Sequence, residues 1–131
     1  MNKPFYITTP IYYVNDDPHI GTAYTTILAD VLSRYQAQLG NDSFFLTGLD
    51  EHGQKVQEAA TKRGVSPKDH CDEMSKSFIS LWDRLHISNN DFIRTTEERH
   101  KVVVEKILKT VYDAGDIYED EYEGLYSVSE E

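Results

Sequence analysis

The chain has a single cysteine, Cys71, so it can form no intrachain disulfide and no thiolate cluster for a structural zinc. This fits a reducing compartment, and a cytoplasmic location is expected. Lysine and arginine number 13 against 23 acids, a formal charge of −10. A surface that grips phosphate backbones by net charge is thereby excluded, and any nucleic-acid partner needs a docking surface elsewhere or a very local one. No apolar run approaches the ~20 residues of a membrane span. Residues 1–14 lack the basic start and apolar core of a secretory signal. There is no internal repeat and no low-complexity linker. What remains is 131 residues, 39% hydrophobic and 27% charged, enough for one domain with a real core.

Along that chain, Lys3 to Thr9 reads as a strand, aromatic and β-branched, ended by Pro10. Pro10 to Pro18 is an aromatic-rich loop. From Gly21, apolar residues at Ala23, Ile27, Leu28, Val31, Leu32, Tyr35 and Leu39 predict one buried face of a helix that stops at Gly40. Ser43 to Thr47 predicts a buried strand parallel to the first, since a helix lies between them. A helix from His52 to Arg63 stops at Gly64. Ser66 and Pro67 then open a long amphipathic helix with Cys71, Met74, Phe78, Leu81, Trp82 and Leu85 on its apolar face. Cys71 is expected to be a core thiol. Met74-Ser75-Lys76-Ser77 repeats the lettering of a known ATP-binding loop, but that loop is flanked by glycines and these residues sit within a helix, so the match is coincidental. Asp91 to Arg94 is a short extended segment. Thr95 and Glu98 have the spacing of a capping box, before a helix with Val104, Ile107, Leu108 and Val111 inside and Gly115 as its stop. Ile117 to Val128 predicts two short strands around an acidic turn.

The expected fold class is therefore α/β, the first half of a Rossmann-like parallel-sheet nucleotide-binding domain. In such sheets ligands bind beyond the carboxyl ends of the strands. Both loops at that edge are unusual. In the first, Pro18-His19-Ile20-Gly21-Thr22 leads from the first strand's loop into the helix, where backbone N–H groups and the positive helix end favour an anion. His19 adds a donor. A plainer reading makes Gly21 a packing residue and His19 a surface residue. Tyr13 either joins the core or walls a small-molecule pocket. In the second loop, Gly48 to Gly53 places Asp50, Glu51 and His52 between glycines; alone, Asp50 or Glu51 would be read as a cap for the next helix. Two such loops at one edge favour a polar site.

PIYYVNDDPHIG, FFLTGLDEHGQKVQEAA, DFIRTTEERH and GDIYEDEYEGLYSVSEE, in this order, resemble segments of the class I methionyl-tRNA synthetases over essentially the whole chain. The resemblance implies that residues 1–115 are the N-terminal half of a split Rossmann-like catalytic domain and that residues 116–131 begin a connective insertion. It implies a longer protein, with the lysine loop, any zinc knuckle and a helical anticodon-binding domain outside this chain. The 131-residue piece alone is expected to be inactive, with apolar surface exposed where the rest packs.

Matched position by position, Ile11 and Tyr13 fall on the methionine side-chain pocket, and Asp50, followed by His52, on the acid that holds the substrate ammonium. Asn15, His19, Gly21 and Thr22 fall on the ATP-binding segment, with His19 and Thr22 at the catalytic positions. The implied substrates are methionine, ATP with Mg²⁺, and a methionine tRNA reached through parts outside this chain, with no membrane partner. This sequence departs from the family at two positions: Thr22 replaces a histidine and Leu49 a threonine. Thr22 can donate one hydrogen bond but carries no positive charge, and losing a transition-state donor costs about 2–4 kcal/mol. Two rival classes remain: a stand-alone nucleotidyltransferase, disfavoured by the acidic end from Glu119 to Glu131, and a non-catalytic synthetase-like binding module.

Overall fold

In the computed structural model, which describes residues 3–125, every strand pairs in parallel with one central strand, β3 (Asp42–Asp50). The strands β1 (Pro4–Thr8), β2 (Tyr12–Tyr13) and β4 (Asp91–Arg94) all lean on it. Leu46 pairs with both Thr8 and Asp91, and Leu49 with both Tyr12 and Arg94. Hence β1 and β2 share one side of β3, and β4 takes the other. The aromatic loop expected from Pro10 to Pro18 thus contains a short second strand. Pro10, which has no N–H to give to a ladder, marks the break between the two pieces. The helices are α1 (Ile20–Gln38), α2 (Gln54–Arg63), α3 (Pro67–Arg84) and α4 (Glu98–Asp113).

The central strand is longer than the apolar run Ser43 to Thr47. Gly48, Leu49 and Asp50, expected in a loop, belong to β3 because partners on both sides extend the ladder. At Gly48 the fit is close: a Cβ there would lie 2.1 Å from the Ile93 carbonyl oxygen and 2.5 Å from Ile93 Cγ2. Only glycine lets β4 approach this near.

The core lies against α3. Val14, Leu49, Val56, Cys71, Met74, Phe78 and Trp82 form one buried cluster, with Tyr12 packed on Phe78 and Trp82 at ring separations of 6.1 Å. Leu49 is fully buried here and serves this core. Cys71 is a core thiol as expected; burial, with the Glu51 charge second, pushes it up to about 11. Met74 to Ser77 lie inside α3, with Met74 and Ser75 buried, so they are no loop. Ser66 caps α3 by accepting the Asp69 N–H at 3.1 Å, with Pro67 in the first turn.

Two helices are turned differently from their apolar periodicity. The buried stripe of α1 is Thr22, Thr26, Ala29, Asp30 and Ser33, while Ile27, Leu28, Val31, Leu32, Tyr35 and Leu39 are exposed among the described residues. The inward face is small, so the helix approaches the sheet closely, and its polar groups find partners. Thr26 shares a hydrogen bond with the Tyr12 hydroxyl (2.9 Å), Ser33 with Ser43 (2.8 Å), and Asp30 accepts from the Ser88 N–H and hydroxyl (2.7 and 2.6 Å). In α4 no residue is buried: Val104, Ile107 and Leu108, expected inside, are 36%, 57% and 54% exposed. The expected capping box does not form, because Thr95 Oγ1 instead accepts the Glu51 N–H at 2.9 Å. Residues 116–125 form no strand, against the two expected from Ile117 to Val128; residues 126–128 lie outside the described residues.

Two outcomes are expected. Gly48→Ala forces β4 off β3 and costs about 1–3 kcal/mol, read as a lower urea midpoint with an unchanged slope. Burial works against the Asp30 charge, but the Ser88 hydroxyl and N–H and the Arg34 guanidinium outweigh it and hold the carboxyl below the usual carboxylate range. A carboxyl lowered in the folded state contributes stability above its unfolded pKa and loses it as pH falls through the folded value. Asp30→Asn therefore lowers stability near neutrality and flattens the acid limb of the stability–pH curve, measured by urea titration between about pH 2 and 7.

Candidate functional site

The carboxyl ends of β2 and β3 place Tyr13 and Asp50 opposite one another as a register pair. Around them lie two adjoining clefts that share the Tyr13 side chain. The larger, about 380 Å³, is lined by Ile11, Tyr12, Tyr13, Asn15, His19, Thr22 and Phe78 and by the two acids Asp16 and Asp17. The smaller, about 210 Å³, is lined by Tyr13, Asp50, His52, Gly53 and Lys55. All the site residues picked from the sequence thus line these clefts except Gly21, which lies in the first turn of α1 between His19 and Thr22.

Gly21 has a specific local reason. His19 is the N-cap of α1, and its Nδ1 accepts the Gly21 N–H at 3.1 Å. A Cβ on Gly21 would sit 3.0 Å from His19 Cε1 and 3.1 Å from Nδ1, so glycine leaves room for the ring over the helix end. As an acceptor, Nδ1 carries no proton, and the ring's donor is Nε2–H. The Gly21 N–H is consumed by this cap, leaving the first-turn N–H groups of Ile20 and Thr22 without intrahelical partners. Thr22 is 5% exposed and lies at the base of the larger cleft, deeper than a surface hydroxyl.

At the smaller cleft, Asp50 Oδ1 accepts the His52 N–H at 3.1 Å, an Asx turn that fixes the carboxylate at the mouth. Neither Asp50 nor Glu51 caps α2: its N-cap is Gly53, which makes no side-chain bond. Glu51 points the other way. Its side chain is fully buried, with Oε1 accepting Arg94 Nε at 2.6 Å and Oε2 accepting the Thr96 hydroxyl. Arg94 Nη2 reaches on to Asp72 Oδ1 at 2.6 Å, and Lys68 bonds the other Asp72 oxygen. Burial opposes the Arg94 charge, but Glu51 and Asp72 outweigh it and hold its pKa above the ordinary value; Lys68 first, then Arg94, lower that of Asp72.

Sequence reasoning missed this cluster and one further support. His70, 1% exposed, bonds the Val14 carbonyl through Nε2 at 2.6 Å and Arg63 Nη1 through Nδ1 at 2.8 Å. Nε2–H donates, Nδ1 accepts, and the loop between Tyr13 and Asn15 is tied to α3. The available signals were a histidine one position before Cys71 on an apolar helix face and an arginine closing a parallel strand at the ligand edge.

The model for "tRNA synthetases class I (M)" matches residues 5–131. The chain belongs to the class I tRNA synthetase (M) family. It is 56% identical over 129 residues to the methionine–tRNA ligase of Fusobacterium nucleatum, covering 98% of this chain and 20% of that protein. It is 53% identical over 131 residues to that of Rickettsia bellii, covering all of this chain and 26% of that protein. It thus spans about a fifth to a quarter of the relatives it matches. The Mycobacterium tuberculosis methionyl-tRNA synthetase in complex with methionyl-adenylate superposes with a TM-score of 0.93 at 42% identity, over 97% of this chain and 25% of that one. An Agrobacterium radiobacter LeuRS in a ternary complex with tRNA matches with a TM-score of 0.80 at 22% identity, over 87% of this chain and 15% of that one, a likeness of fold alone. The expected α/β class I synthetase fold and family are thus borne out.

One expectation tests the His19 cap. His19→Asn keeps an N-cap acceptor and stays within about 0.5 kcal/mol of wild type in urea unfolding, whereas His19→Ala loses about 1 kcal/mol.

Proposed function

We propose that the protein carrying this chain is a methionine–tRNA ligase, and that the two clefts sharing Tyr13 receive methionine and ATP. The observation that supports this best is the superposition, over 97% of the chain, on a methionyl-tRNA synthetase holding methionyl-adenylate. An adenylate joins an aminoacyl group to AMP, so it needs two adjoining subsites. Here Tyr13 stands between the Asp50 cleft and the His19 cleft.

The methionine carboxylate attacks the α-phosphorus of ATP, a new C–O–P bond forms, and pyrophosphate leaves with the electrons of the broken P–O bond. The aminoacyl group then passes to the terminal ribose hydroxyl of a methionine tRNA, releasing AMP. No enzyme nucleophile is needed; catalysis is positioning and charge stabilisation. Asp50 accepts the substrate ammonium, and the thioether's path is lined by Tyr13, shared by both clefts, and by Ile11 on the His19 side. His19 Nε2–H and the first-turn N–H groups of α1 face developing phosphate charge, with Asn15 and Thr22 completing the ATP side.

Among the described residues no cluster of three His, Cys, Asp or Glu could hold a metal ion. Mg²⁺ bound with ATP would neutralise phosphate charge, and the carboxylates lining the larger cleft are those of Asp16 and Asp17. Contacts to tRNA are assigned to parts outside this chain, residues 116–131 to the start of an insertion, and the protein to the cytoplasm. No helix among the described residues is long and apolar enough to cross a membrane.

The test is methionine-dependent ATP–pyrophosphate exchange by the full-length protein. Exchange is expected. Asp50→Asn should raise the methionine KM about 10- to 150-fold, the worth of a hydrogen bond to a charged group, and leave the ATP KM within about twofold. No exchange at saturating substrates would sink the reading.

A further inference from the structure

The turn carrying Asp50 and His52 is held from behind. Successive residues of an extended chain point to opposite faces, and Asp50 ends β3, so anchoring Glu51 inward turns Asp50 to the outer face, while His52 Nε2 lies 3.4 Å from the Thr95 carbonyl of the anchoring segment. Burial follows that alternation: Glu51 is buried, Asp50 half-buried and His52 exposed. Of these three residues, Asp50 and His52 line the cleft, together with Tyr13, Gly53 and Lys55.

The anchor comes from one neighbouring segment. Arg94, the last residue of β4, and Thr96, just past it, take one Glu51 carboxylate oxygen each. Between them, Thr95 binds the same turn through backbone and side chain. Its Oγ1 accepts the Glu51 N–H at 2.9 Å, and its own N–H donates to the Leu49 carbonyl at 3.2 Å. Arg94 also reaches Asp72, so the clamp is braced against α3 as well. A carboxylate buried this deeply is costly unless it is both paired and hydrogen-bonded, and here both conditions are met. Removing one of its donors should shift the turn rather than leave a charge unpaired in place.

We propose that the Glu51–Arg94–Thr96 clamp is a positioning device for Asp50, with Arg94 and Thr96 as positioning residues that set the affinity for the amino-acid ammonium. The proposal rests on the methionine–tRNA ligase reading. The loop from Tyr13 to Asn15 is tethered separately, by His70 Nε2–H to the Val14 carbonyl, so the clamp's effect falls on Asp50 rather than on Asn15.

The experiment uses the full-length protein and measures ATP–pyrophosphate exchange for wild type, Thr96→Val, Thr96→Ser and Glu51→Gln. The active-site concentration is taken from the adenylate burst. Thr96→Val keeps the shape and deletes the donor; Glu51→Gln keeps the shape and deletes the charge. Both should raise the methionine KM at least about fivefold, as expected for a lost hydrogen bond to a charged group. The ATP KM should stay within about twofold, and Thr96→Ser should restore the methionine KM. A purely structural role would lower the active-site concentration and leave both KM values alone. That result, or a parallel rise of both KM values, or no change in either variant, overturns the proposal while leaving the ligase reading intact. A wild-type protein without exchange overturns the ligase reading, and the proposal with it.

Discussion

The two-sided pairing of Leu49 is the constraint on which the described structure depends. On one side it fixes Tyr12, and so Tyr13 opposite Asp50; on the other it fixes Arg94, and so Thr95 and Thr96 behind the Asp50 turn. A single register thus brings the aromatic loop, the acidic turn and its clamp to one sheet edge. The register is sharply specified because a slip by one residue would turn the fully buried Leu49 side chain away from Val14, Val56 and Phe78. Gly48, one residue earlier, lets β4 come close enough for the clamp to reach. Packing and site geometry are therefore one requirement here: Leu49 supplies apolar core on the strand that ends at Asp50.

Much of this was legible in the residues because it is local. Ser66 and Pro67 announce the start of α3, Gly64 with φ 69° the end of α2, and the strand–helix–strand order the parallel sheet. The loops at the sheet's carboxyl edge pointed, from their own composition, to the residues that line the two clefts. What was not legible is which stripe of a helix faces inward. In α1 the periodicity of Ile27, Leu28, Val31, Leu32 and Tyr35 is helical, yet the stripe Thr22, Thr26, Ala29, Asp30 and Ser33 is equally periodic and wins. Apolar spacing gives the period of an element. Its phase is decided by tertiary partners such as Tyr12, Ser43 and Ser88, which satisfy buried hydroxyls and a carboxylate. The same limit applies to Thr95: its spacing to Glu98 is that of a cap, but a partner 44 residues away takes its hydroxyl.

The apolar rows of α1 and α4 remain exposed among the described residues, from Ile27 to Leu39 and from Val102 to Tyr112. Isolated exposed apolar side chains are ordinary, but contiguous helical stripes mark faces meant for covering. The chain spans about a fifth to a quarter of its relatives' length, which is consistent with faces that pack against other parts of a longer protein.

Net charge and site chemistry then fit together. A chain with 23 acids and 13 bases repels phosphate at long range. On the proposed reading, a site for a triphosphate works at short range, with fixed dipoles rather than a basic field. The N-terminus of α1 is such a device, and His19 sharpens it by an exchange of roles. Its Nδ1 takes the Gly21 N–H and leaves its own Nε2–H as a donor. The cap costs the site one backbone donor and returns one side-chain donor, with its ring orientation already set. A Cβ at residue 21 would press on the ring at 3.0–3.1 Å, so glycine at this helix start eases that trade.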